Sequence, residues 1–282
     1  GTTVATNTII TETGARVGML LTEGCSDILQ IGYGWRPKMY DLNMDPVEPL
    51  FLAPRRRCLG VKERMDFEGN IVQKLNKTDL QKKAKFLVEK ENCDVFVVCY
   101  LHSYSNPAHE IQTKKLLQKI YPNIPISISS EVLPRKREYK RLVVTGFDGY
   151  VKPIVTNYLI NLESSLKKDG ANCPFHVMQS NGGVSGINNI CQKPVGTALS
   201  GLAAGVIGAA FLFFLYPRYR TIEIVATDLA HAIPITAIAG IGHANLGTVD
   251  YILLFSLIIG SLPGIYLGSQ VGNLMPDKIM HT

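Results

Sequence analysis

The sequence predicts an α/β fold over residues 1–204 followed by an all-α membrane segment of about three helices over 205–282, on two observations. Between residues 78 and 179, amphipathic helical stretches alternate with short apolar runs, the pattern of a mostly parallel sheet with helices on its faces. Near residue 200 the charge density then collapses. Of 29 Lys+Arg and 23 Asp+Glu, only Arg218, Arg220, Lys278, Glu223, Asp228, Asp250 and Asp277 lie beyond residue 196. Uncharged gaps of 21 to 26 residues follow Lys193, Asp228 and Asp250, and about 20 apolar residues suffice for a bilayer-spanning helix. The hydrophobic fraction of 46% therefore averages two unlike segments.

The elements follow in order. Residues 78–91 place Leu80, Ala84, Leu87 and Val88 on one helical face, and Thr78 with Gln81 forms a capping box. The continuous apolar run 95–101 suits a strand covered on both faces. Asn106-Pro107 caps the next helix, with Glu110 in its first turn complementing the macrodipole. Residues 126–129 form a second strand. A helix over 147–169 carries Val151, Val155, Tyr158, Leu162 and Leu166 at helical spacing and ends at Gly170. Residues 175–179 make a third strand, stopped by Ser180, Asn181, Gly182 and Gly183. Beyond these, spans are expected over roughly 198–216, 229–246 and 250–272. The implied localisation is a membrane, with a lipid bilayer as partner through 198–272 and the N-terminal part cytosolic in type.

A net charge of +6 is weak, and the basic runs Arg55–Arg57 and Arg135–Arg141 lack interleaved aromatics. They read as solvated loops, and no nucleic-acid partner is expected. The six cysteines, at 25, 58, 93, 99, 173 and 191, form no CxxC pair and read as reduced, mostly buried thiols. No signal peptide precedes them, and the opening at Gly1 reads as the interior of a domain.

Six phrases occur in one order: GTTVATN (1–7), LHSYSNPAHE (101–110), SSEVLPRKREYKR (129–141), YVKPIVTNYL (150–159), MQSNGG (178–183) and LSGLAAGVIGA (199–209). Together they resemble the A subunit of the hydantoinase/5-oxoprolinase family. The resemblance implies an actin-like ATPase fold, ATP-dependent opening of a cyclic amide such as hydantoin or 5-oxoproline, and a B-type partner subunit. It also implies ATP and Mg as cofactors of the full-length enzymes. Two departures stand out. The family's Asp-x-Gly-Gly-Thr phosphate loops are missing from these 282 residues, and Gly201-Leu202 replaces the usual Gly-Pro. Phosphoryl transfer depends on such cradles, so no cofactor is expected to bind this stretch and it is expected to be inactive alone.

By the same resemblance, Gly1, Thr2, Thr3 and Asn7 lie near the interdomain cleft, with turn-shaping as the competing role. Ser180, Asn181, Gly182 and Gly183 follow a strand and offer either an anion nest or a plain tight turn. His102, His109 and Glu110 suggest a metal trio, but no third imidazole is near in sequence and no metal site is assigned.

From about Gly205 the phrases LYPR, TDLAHAIP, AGIGH and GSLPGIYLGS resemble the TauE/SafE sulfite-exporter family, implying a permease for sulfite or related organosulfur anions. Asp228, His231 and His243 would line its transport path, with bonding across helices as the alternative. The phrase AAGVIGA suits both families and marks the junction. Arg218 and Arg220 would face the cytoplasm by the positive-inside rule, which sets residues 1–196 on the far side, away from ATP. Three functions stay open: a fragment of a cyclic-amide hydrolase, a permease fragment, and a chimera without joint function.

Overall fold

A computed structural model describes residues 2–34, 40, 48–171, 173–215 and 261. The chain divides into two compact units, Gly1–Ala204 and Gly205–Thr282. The described strands are β1 (Val17–Thr22), β2 (Cys58–Val61), β3 (Arg64–Met65), β4 (Ile71–Gln73), β5 (Val95–Cys99), β6 (Ile126–Ile128), β7 (His176–Met178) and β8 (Val184–Gly186). The α-helices are α1 (Val4–Ile10), α2 (Ile28–Ile31), α3 (Lys77–Glu89), α4 (Ala108–Ile120), α5 (Ser129–Val132), α6 (Glu138–Lys168), α7 (Ile187–Gln192) and α8 (Ser200–Leu215).

Four strands form a wholly parallel sheet in the order β2-β1-β5-β6, with Met19 opposite both Cys58 and Val97. Every residue of β1 and β5 is buried, as expected for central strands with helices on both faces. Alternation sorts their side chains. Met19, Leu21, Val97 and Cys99 join Leu142, Val151 and Val155 of α6 in one core. Leu20, Phe96 and Val98 join Leu80, Ala84 and Leu87 of α3 and Leu117 of α4 in the other. The α/β expectation with a mostly parallel sheet therefore holds for this unit.

Several boundaries move. Helix α3 is capped by Asn76, whose side-chain oxygen accepts from Asp79 N at 3.0 Å, in place of the Thr78 capping box. Helix α6 begins at Glu138, nine residues before the expected start, and carries Pro153 inside it. Gly170, at φ +88°, follows its end as foreseen, but Tyr158 is 40% exposed and lies off the core stripe. The third expected strand lies outside the main sheet: β7 pairs antiparallel with β8 in a separate hairpin.

The membrane localisation is corrected here. Among the described residues no helix is long and apolar enough to cross a membrane. Helix α8, where the first span was expected, is described over the 16 residues Ser200–Leu215. The expected spans over 229–246 and 250–272 lie outside the described residues.

Helix α6 approaches the sheet at Gly149. A Cβ there would lie 2.5 Å from Val97 Cγ2 and 3.2 Å from Val95 Cγ1. Gly149→Ala gains roughly 1 kcal/mol of helix propensity, but overpacking against two stiff β-branched residues costs more. The variant should lose about 1–3 kcal/mol of stability, read from its urea midpoint.

Candidate active site at the carboxyl ends of the strands

The carboxyl ends of parallel strands leave backbone donors and acceptors without ladder partners, and ligands of open α/β sheets bind there. In this chain buried side chains answer those groups. Thr22, ending β1, accepts from Leu101 N at 2.8 Å and donates to Glu63 Oε1. Glu63 Oε2 lies 2.7 Å from His109 Nδ1 in the first turn of α4. Glu63 and His109 are 1% and 3% exposed, so the pair is shielded from water. The two side chains share one hydrogen bond through Nδ1, which fixes the orientation of the imidazole ring.

Glu110, fully buried, accepts from Tyr100 N at 2.9 Å, Ser129 Oγ at 2.6 Å and Ser130 N at 2.8 Å. It thereby joins the end of β5 to α5. Ser103 and Ser129 share a further hydroxyl contact at 3.0 Å. Arg141, in the first turn of α6, donates Nη2 to Tyr100 O and lies under the Tyr104 ring, 5.4 Å from its centroid. His102 Nδ1 lies 3.3 Å from Tyr104 Oη. At the opposite ends of β5 and β6, a cavity of about 630 Å³ is lined by Cys93, Asp94, Lys152, Thr156 and Cys191.

The residues picked from sequence separate in space. His109 goes to Glu63, His102 to Tyr104 and Glu110 to backbone and serine. No group of three or more His, Cys, Asp or Glu among the described residues is placed to hold a metal ion. Thr2 N donates to Ser200 Oγ at 3.0 Å, Thr3 stands at the N-terminus of α1, and Asn7 lies within it. The Ser180–Gly183 segment turns β7 into β8. Ser180 N donates to Gly196 O, Gly182 N to Gln179 O and Gly183 N to Asn181 Oδ1. Three N–H groups that a phosphate would need are thus committed within the protein, and Gly182 takes φ +83°. The Ser180–Gly183 turn as described therefore does not fit a phosphate. Gly1, Asp228, His231 and His243 lie outside the described residues.

Sequence reasoning missed Thr22, Glu63, Tyr104 and Arg141. It also read both basic runs as solvated, whereas Arg57 is 8% and Arg141 0% exposed. Arg57 donates Nη1 to Val17 O at 3.1 Å, and Arg55 and Arg56 pair with Asp27 and Glu91. Loop position made these arginines look free. Each in fact answers a carbonyl or carboxylate that a linear reading cannot locate.

Burial pushes the Glu63 carboxyl above its ordinary value of 4.5, against the opposing hydrogen bonds from Thr22 and His109. A raised folded pKa means tighter proton binding in the folded state. The stability this contributes is complete below about pH 4.5 and is lost as pH rises through the folded value. Glu63→Gln removes that titration. The stability of the native chain should therefore fall relative to the variant as pH rises from about 4.5, measured by urea unfolding at stepped pH.

Residues 1–121 match the model of the hydantoinase/oxoprolinase N-terminal region, and residues 141–224 that of hydantoinase/oxoprolinase. Residues 195–282 match sulfite exporter TauE/SafE. An uncharacterised protein of Methanocaldococcus jannaschii is 39% identical over 70% of this chain and 28% of its own length. The acetophenone carboxylase gamma subunit of Aromatoleum aromaticum is 29% identical over 74% of this chain and 30% of its own. The crystal structure of ATP-dependent caprolactamase from Pseudomonas jessenii superposes with a TM-score of 0.69 at 27% identity, covering 77% of this chain and 31% of that one. The chain thus spans under a third of the length of these relatives. Between them, the two hydantoinase/oxoprolinase models match most of its larger unit.

Proposed function

We propose that residues 1–204 work as one part of an ATP-dependent enzyme that opens a cyclic amide, of the hydantoin or 5-oxoproline kind. The likeness to ATP-dependent caprolactamase over 77% of the chain carries this reading. The Glu63–His109 pair would supply a proton acceptor at the ligand-binding end of the sheet. Thr2, Thr3, Asn7 and Ser180–Gly183 would border the cleft. In support, Thr2 N donates to Ser200 and Ser180 N to Gly196, so both groups attach to one short segment. The phosphate cradle would come from elsewhere, because Asp-x-Gly-Gly-Thr is not in this sequence and the described Ser180–Gly183 turn commits its N–H groups within the protein. A B-type subunit is the proposed partner, in keeping with the gamma-subunit name of one relative.

The chain alone should bind ATP no tighter than about 100 μM, by calorimetry. A hybrid in which residues 1–204 replace the matching segment of the caprolactamase subunit should keep ATP-dependent amide hydrolysis. A folded hybrid without turnover would overturn the reading.

We further place the joint between two parents at Ala204/Gly205. Supporting this, the hydantoinase/oxoprolinase and TauE/SafE matches overlap over 195–224, and the two compact units divide within that overlap. Both apolar cores draw their buried members from residues 5–190. Residues 1–204 alone should therefore unfold cooperatively within about 3 °C of the same transition in the whole chain, by calorimetry.

A further inference from the structure

We propose that Arg141 is the seat of a carboxylate-binding site at the carboxyl end of β5, roofed by the 101–107 and 133–137 connections. The proposal extends the ring-opening reading, since opening a cyclic amide creates a carboxylate, and rests on that reading only for the identity of the natural ligand.

The argument begins from the donors of the guanidinium. Arginine carries five N–H groups and cannot shed its charge. In Arg141 one Nη2 donor goes to Tyr100 O, while Nε and Nη1 meet no oxygen or nitrogen acceptor although the side chain is 0% exposed; the Cys99 thiol beside the guanidinium is at most a weak acceptor. Glu138 Oε1 stands off at 4.0 Å. The other close carboxylate, Glu110, is committed to Tyr100 N, Ser129 and Ser130 N. A buried permanent cation with idle donors is costly, and a carboxylate oxygen is the acceptor that arginine matches best.

The cover is built to move. Tyr104 and His102, both half-buried, close the site from the solvent side. His102 at φ +57° and Arg137 at φ +79° hold left-handed backbone that non-glycine residues rarely adopt, one on each connection flanking Arg141. Strain at both hinges lowers the cost of leaving the closed arrangement.

Charge selects the ligand class. Glu110 and Glu138 flank the guanidinium, and Arg135, Lys136, Arg137 and Lys140 are exposed. Attraction to the one guanidinium and repulsion from the two glutamates both double for a doubly charged phosphate, but the cost of stripping water from it rises as the square of its charge, so a site with a single buried cation favours the singly charged carboxylate.

The test is a titration of the full 282-residue chain, labelled with ¹⁵N in arginine. Acetate, glutarate and inorganic phosphate are added separately at pH 7 and fixed ionic strength. The Arg141 Nε–H signal is identified as the one lost in Arg141→Lys and displaced in Tyr104→Ala, which removes the overlying ring and keeps the arginine. Expected is a saturable shift of that signal with the carboxylates, at roughly tenfold lower concentration than with phosphate. Tyr104→Ala should change the midpoint at least about threefold, and it carries the test if Arg141→Lys does not fold. A shift that never saturates overturns the site, and phosphate binding as tightly as glutarate overturns the ligand class. Because no turnover is read, failure here leaves the hybrid enzyme assay untouched, and failure there leaves this titration untouched.

Discussion

One constraint governs the larger unit: helix α6 turns a polar stripe toward the sheet. Arg141, Thr145, Asp148 and Lys152, spaced by four, three and four residues, are all buried on one helical face. Each must find a partner or the helix cannot lie where it does. Thr145 Oγ donates to Arg141 O at 2.7 Å, and Asp148 accepts from Ser127 Oγ at 2.7 Å and Val195 N at 3.1 Å. Lys152 reaches Asp148 at 3.0 Å and Gln192 O at 2.7 Å. Apolar packing is non-directional and would tolerate a helix shifted along its axis. The bonds that leave the helix, to Ser127, Val195 and Gln192, do not, because a shift of one turn would leave Asp148 and Lys152 buried without them.

The same logic explains why the ends of the strands are rigid where function is proposed. Glu110 and Glu63 take up the donors left over where β1, β5 and α5 terminate. The Ser129 hydroxyl bonds Glu110 and contacts Ser103, so the loops after β5 and β6 move together or not at all. A site resting on such a platform holds its geometry without a ligand to organise it. The strained backbone lies just outside this platform, at the positive-φ residues His102 and Arg137.

Periodicity revealed what apolar side chains dictate. The apolar run of β5 and the amphipathic face of α3 were legible because neighbours in sequence share one environment. Strand β1 escaped notice despite its fully buried VGMLLT, as no flanking helical repeat announced it. Strand β7 was seen but given to the wrong sheet, since pairing is a long-range choice that three residues do not encode. The site was half legible. His109 and Glu110 stand in a distinctive phrase, but Glu63 and Arg141 acquire their roles from partners 46 and 41 positions away. A charge in a loop looks solvated until the fold brings its acceptor to it. The span expected over 198–216 from uncharged length falls on α8, which is apolar, yet among the described residues no helix is long and apolar enough to cross a membrane.

The packed sheet also sets the chain's chemistry toward alkylating reagents. Burial pushes the thiols of Cys58, Cys93 and Cys99 up to about 11, so at neutral pH they stay protonated and are poor nucleophiles. Cys25 and Cys191 are half-buried, and Cys173, just past α6, is the one exposed thiol. A maleimide probe added at pH 7 would settle first at Cys173, giving the native sequence a built-in attachment point for a fluorophore. The label would sit beyond the end of α6 and leave the carboxyl ends of the strands unencumbered.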